Sequence, residues 1–164
     1  MFKLTNNLAP AVAFKDIENK LAYERLESQR FIRDHAIRQF KPNPHFPVNT
    51  LQLMRGAVAA EADGFLEPYV TAVFHHMWEA PKKMDEPEVI RAALDESGID
   101  GDRVMRRIND QDVKAKLVKN TEASVARGTF GSPTFFVGDE IFFGKERLPA
   151  VEAELRRQAK LGTA

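Results

Sequence analysis

The chain has 164 residues, with 24 Lys plus Arg against 24 Asp plus Glu, 43% hydrophobic and 29% charged residues, and no cysteine. This composition fits one soluble globular domain, or one with a large insertion, and the even charge argues against a dedicated nucleic-acid or membrane-surface binder. Without cysteine there is no disulfide, no thiolate metal site and no Cys-based redox mechanism, so a thiol oxidoreductase is excluded. The first residues, "MFKLTNNLAP", lack a basic region followed by an apolar core, and no apolar run reaches bilayer length, so the cytoplasm is the expected compartment.

In chain order, Met1 to Ala13 reads as irregular, because Asn6, Asn7 and Pro10 are turn formers. A helix is predicted from about Lys20 to Arg38, with Leu21, Leu26 and Ile32 among its apolar positions. Its basic end, Arg30 to Lys41, is interrupted by the acidic Asp34 and reads as a solvated face. Pro42, Pro44 and Pro47 then impose an extended loop. Asn49 or Thr50 caps a helix that Gly64 stops, and a second runs from Leu66 until Pro81 ends it. On the second, Phe74, Met77 and Trp78 read as core, with a hydrophobic substrate wall or dimer face as the alternative. Asp85 is the predicted cap of a helix with Pro87 in its first turn and Val89, Ile90, Ala93 and Leu94 as its stripe. Asp100 or Asp102 caps a short helix, and Asp110 or Gln111 opens another that ends at Arg127 before Gly128.

The period then changes. "TFFV" and "IFF" are short, apolar and aromatic, as strands are, and Gly138-Asp139 between them suits a two-residue hairpin turn. From Lys145 a final helix carries Leu148, Val151 and Leu155, with Pro149 in its first turn. A lone hairpin is marginal in water. Either this one packs wholly on helices, or strands are missing. A metal site normally needs three or four ligands, and with four histidines in all and no cysteine none is expected; His75 and Glu79 share a helix face, and His45 reads as a loop or cap residue.

"FGSPTFFVGDEIFFGKERL" resembles the C-terminal segment of the 2-hydroxychromene-2-carboxylate isomerases, grouped with the kappa-class glutathione transferases in the DsbA-like branch of the thioredoxin superfamily. "MFKLTNN", "NPHFPVNTLQLMRGA" and "NTEASVARGTFG" resemble segments of the same family in the same order. The resemblance implies an α/β thioredoxin-like fold with a large helical insertion. It assigns 1–127 to the insertion with its entry loop, and 128–164 to the C-terminal β-β-α half of the thioredoxin domain. It further implies that a leading strand–helix–strand segment of about 30 residues or more, bearing the nucleophile-activating serine, is absent, so this chain by itself would be inactive. Ser28, Ser97, Ser124 and Ser132 do not match that serine, and no catalytic residue is carried over.

For the complete protein the resemblance implies a glutathione-dependent isomerase or transferase acting on a small aromatic or hydrophobic electrophile, as a homodimer. The thiol of glutathione would add to a conjugated double bond, let it rotate, and leave. Ser132 and Pro133 match a Ser-cis-Pro pair whose backbone receives the peptide-like cofactor. Phe143, Gly144, Lys145 and Glu146 match the segment that holds its γ-glutamyl end, and Asn7 matches a glutathione-contacting Asn. Lys3 matches a lysine near the substrate carboxylate, and Phe46 matches a tyrosine near the substrate, without the hydroxyl. The rival expectation is a non-catalytic helical binding or dimerisation module derived from that family.

Overall fold

Helix formers punctuated by Gly, Pro and Asp become helices in the computed structural model, which describes residues 2–5, 7–8 and 10–161. Among these residues the helices are α1 (Phe2–Thr5), α2 (Pro10–Ala13), α3 (Glu18–Asp34), α4 (Leu51–Ala62), α5 (Leu66–Trp78), α6 (Pro87–Glu96), α7 (Gly101–Arg107), α8 (Gln111–Ala126) and α9 (Leu148–Leu161). Strands β1 (Thr134–Val137) and β2 (Glu140–Phe143) form one antiparallel hairpin. The chain divides into two compact units, residues 14–119 and residues 1–13 with 120–164. No helix among the described residues is long and apolar enough to cross a membrane.

The first unit is helical. Its core joins Leu53 and Ala60 of α4, Tyr69, Ala72 and Met77 of α5, Ile90, Ala93 and Leu94 of α6, Val104 of α7, and Met84 and Ile108 beside them. Burying a side chain such as Ile90 or Leu94 contributes about 1.5–3 kcal/mol. Gly56 lets the Tyr69 ring lie against α4, where the phenol donates to Leu53 O at 2.9 Å. Asp100 caps α7, accepting the Arg103 N–H at 2.7 Å. At the start of α4, Thr50 occupies the cap position without a side-chain bond, and Asn49 Oδ1 instead accepts the Leu51 N–H at 3.1 Å.

Several expectations are corrected. Asp85 does not cap α6: Glu86 holds that position with no side-chain bond, and the Asp85 carboxylate turns to the Asn49 N–H at 3.3 Å. Phe74 is not core but 61% exposed, whereas Met77 is buried. The first helix ends at Asp34, not Arg38, because Ala36 takes a φ of +52° and the Ile37 N–H turns back to Ile32 O at 3.0 Å. Two short helices replace the irregular start, Pro10 standing at the first position of α2, where its missing N–H costs nothing.

In the second unit α8 ends at Ala126, Gly128 reverses the chain with a φ of +102°, and Ser124 Oγ donates to Thr129 Oγ1 at 2.8 Å. The hairpin pairs Thr134 with Phe143 and Val137 with Glu140. Gly138, at φ +57°, is the first of two loop residues, as the sequence predicts. Gln158 of α9 donates to Val137 O at 3.1 Å, and the Arg127 guanidinium lies 3.8 Å from the Phe136 ring centroid. The final helix starts later than Lys145: residues Lys145–Arg147 form a 3-10 turn, and α9 follows. Leu148 and Leu155, expected on its apolar stripe, are exposed.

Candidate functional site

The site is built around the crossing from α8 to β1. Phe130 and Gly131 lead into Ser132-Pro133, whose peptide bond is cis. Thr134 Oγ1 donates to Gly131 O at 2.7 Å, closing the bend. The Pro133 carbonyl accepts the Gly144 N–H at 3.0 Å, which extends the hairpin ladder by one bond. Ser132 is exposed, and among the described residues its backbone N–H and C=O have no hydrogen-bond partner. It is therefore an open backbone edge beside a fixed one.

Asn7 is brought to this bend by a contact spanning the chain. Its Nδ2 donates to Phe130 O at 2.7 Å, while its Oδ1 accepts the Leu8 N–H at 2.9 Å. Phe143 packs on Phe130 with ring centroids 4.5 Å apart. Its ring covers Gly131 so closely that a Cβ there would lie 2.8 Å from the Phe143 Cε2. Gly144 has φ +102°, and the Glu146 carboxylate folds back over it. Lys145 pairs with that carboxylate and holds the Glu146 carboxyl below the usual carboxylate range.

Of the residues predicted from sequence, Asn7, Ser132, Pro133, Phe143, Gly144, Lys145 and Glu146 thus lie in one unit around one bend. Lys3 lies in α1, with its side chain outside the described residues. Phe46 belongs to the helical unit, where it is 60% exposed and its ring lies 5.6 Å from Trp78, centroid to centroid. Sequence reading missed Phe130, Gly131 and Thr134 as supports of the bend. The small residue between an aromatic and Ser-Pro was the available signal. Among the described residues no three His, Cys, Asp or Glu side chains gather as a metal site, and His75 Nδ1 is 2.9 Å from Glu79 Oε2.

The family model of the DSBA-like thioredoxin domain matches residues 5–156. The chain belongs to this DsbA-like thioredoxin family. Curated relatives of this DsbA-like chain are named 2-hydroxychromene-2-carboxylate isomerase. That of Pseudomonas putida is 26% identical over 146 residues, 87% of this chain and 69% of the relative. That of Sphingobium xenophagum is 28% identical over 99 residues, 60% and 51% respectively, and that of Pseudomonas sp. (strain C18) 27% over 141 residues, 84% and 64%. The matched stretch of this DsbA-like chain thus spans between about half and somewhat over two-thirds of these relatives. A solved 2-hydroxychromene-2-carboxylate isomerase superposes with a TM-score of 0.76 at 23% identity, covering 91% of this chain and 72% of that one, a likeness of fold.

Proposed function

We propose that this protein serves a glutathione-dependent isomerisation of the 2-hydroxychromene-2-carboxylate isomerase type, on a small aromatic electrophile. The observation that carries the reading is the open backbone of Ser132. A peptide-like ligand laid along the bend pairs its own amide and carbonyl with the Ser132 C=O and N–H, in the manner of an added strand. Pro133 is held by Gly144, so the edge is presented without rearrangement. The Glu146 carboxylate, folded over Gly144, would accept from the ammonium end of such a ligand. Bound there, glutathione supplies a thiol nucleophile. The chain's own contribution is to bind and orient. Phe46, exposed beside Trp78, is the aromatic surface of the helical unit suited to a planar substrate.

The test separates backbone from side chain. Calorimetric titration with glutathione should show saturable binding that Ser132→Ala leaves intact, since the hydroxyl has no assigned role. Ser132→Pro, which removes the N–H, should weaken binding about tenfold, the worth of one good hydrogen bond. Absence of glutathione binding, or equal losses in both variants, would overturn the reading.

A further inference from the structure

A cleft of about 410 Å³ opens in the helical unit between the start of α4, the start of α6 and the end of α7. Arg55 and Gln52 of α4, Asp85, and Met105, Ile108 and Asn109 line it. Arg55 is half-buried, and among the described residues it makes no hydrogen bond or ion pair. This sets it apart from Arg91 and Arg107 of the same unit, each of which holds carboxylates. A guanidinium offers five donors in a planar fork that matches a carboxylate. With none of them filled from within the described residues, these donors are open to a ligand carboxylate, which a charge-assisted fork would hold.

The other walls narrow the ligand. Ile108 is buried and Met105 half-buried, giving an apolar floor. Asp85 brings a negative charge into the same cleft. Its Oδ2 accepts the Asn49 N–H, while its Oδ1 is shielded from solvent and has no partner. A polyanion such as a diphosphate would be repelled by that carboxylate. A single carboxylate with a hydroxyl or ammonium donor on its body satisfies both ends. The cleft is not part of the bend described above, and nothing in its chemistry depends on glutathione.

We infer that the cleft is a second binding site, for a small monocarboxylate with an apolar body and one hydrogen-bond donor. The carboxylate forks onto Arg55, the body rests on Met105 and Ile108, and the donor turns to Asp85. The test is an NMR titration of the whole chain, without glutathione, using phenyllactate, its neutral amide and pyrophosphate as probes. Phenyllactate should shift the Arg55 Nε–H and the backbone amides of Gln52 and Asn109 saturably. The amide should bind about tenfold more weakly, having lost the charge-assisted fork. Arg55→Gln should weaken phenyllactate to the same extent with the rest of the spectrum preserved. If that variant does not fold, the comparison of phenyllactate with its amide on the unaltered chain decides alone. No saturable shift, equal binding of acid and amide, shifts confined to another region, or pyrophosphate binding as tightly as phenyllactate would each overturn the site. Because glutathione is left out, failure here leaves the isomerase reading where it stands.

Discussion

Asn7 and Phe130 lie 123 positions apart in the chain and meet through one hydrogen bond, 2.7 Å from Asn7 Nδ2 to the Phe130 carbonyl. The bond fixes the carbonyl two residues before Ser132, so Asn7 holds the bend from behind. Asn7→Ala should cost about 1 kcal/mol. Asn7→Asp should cost more, because a carboxylate oxygen would then face the carbonyl oxygen where a donor stood. Hydrogen exchange reads this locally: the amides of the first strand should exchange faster in both variants, and most in Asn7→Asp. Unchanged exchange would mean that the contact supports nothing.

Gly131 lies under the Phe143 ring, and the space for a side chain is already taken. Gly131→Ala places a methyl 2.8 Å from the ring edge, so the ring must swing off Phe130. Overpacking of this kind costs about 1–3 kcal/mol. The ring is at the end of a side chain and can move, which favours the lower part of that range. Glutathione affinity should fall with stability if the ring orders the bend. Phe143→Leu added to Gly131→Ala should relieve the crowding and preserve the hairpin, as chemical denaturation with a strand-sensitive probe would show.

The elements most legible in the sequence were those with a strong period and chemical stops. Of the two candidate caps, Asp100 and Asp102, the structure selects Asp100, while the helix of Ile90, Ala93 and Leu94 and the Gly138-Asp139 turn read directly. Ends set by longer-range or unusual chemistry did not. Asp85 looked like a cap but bonds to a residue 36 positions earlier, and Ala36 ends a helix where a glycine was the recognisable signal. For the site, Ser-Pro was a visible local pattern and Gly144 read as part of a helix start, but their roles in binding came only from the resemblance. Asn7 could be matched only through resemblance, and its contact with Phe130 was not foreseen, since no local pattern reports a partner so far along the chain. The Arg55 cleft has no motif: its residues come from three helices and from three separate connecting segments beside them.

Tyr69 and Gly56 form an interlocked pair in the helical core. A Cβ on Gly56 would stand 2.1 Å from the Tyr69 hydroxyl, which is itself buried and bonded to Leu53 O. Gly56→Ala should therefore destabilise the unit by about 3 kcal/mol, combining overpacking with loss of that bond. Tyr69→Phe alone should cost about 1 kcal/mol. The two residues touch, so their effects should not add: with the hydroxyl gone, the added methyl meets less, and the double variant should be more stable than the sum predicts. Urea unfolding of the four proteins measures this coupling, and strict additivity would contradict the contact.

His76 gives the helical unit a dependence on pH. Its ring is buried, Nε2 lies 2.9 Å from Ser97 Oγ, and Nδ1 has no partner. Burial chiefly lowers its pKa from the ordinary 6.5; Lys82 and His75 push the same way, and Glu96 opposes them. The folded chain therefore binds this proton less readily than the unfolded chain. The contribution to stability is full above the unfolded value near 6.5 and is lost as the pH falls below it, down through the depressed folded value. Ordinary carboxylates titrate about two units lower, so the window just below 6.5 belongs to histidine. Thermal midpoints should be level from about pH 8 to 7 and begin to fall as the pH drops below about 6.5. His76→Gln, which keeps an amide to meet Ser97 and cannot take up a proton, should flatten most of that fall even if its midpoint at pH 8 is lower. The same decline in His76→Gln would assign the acid sensitivity to another group.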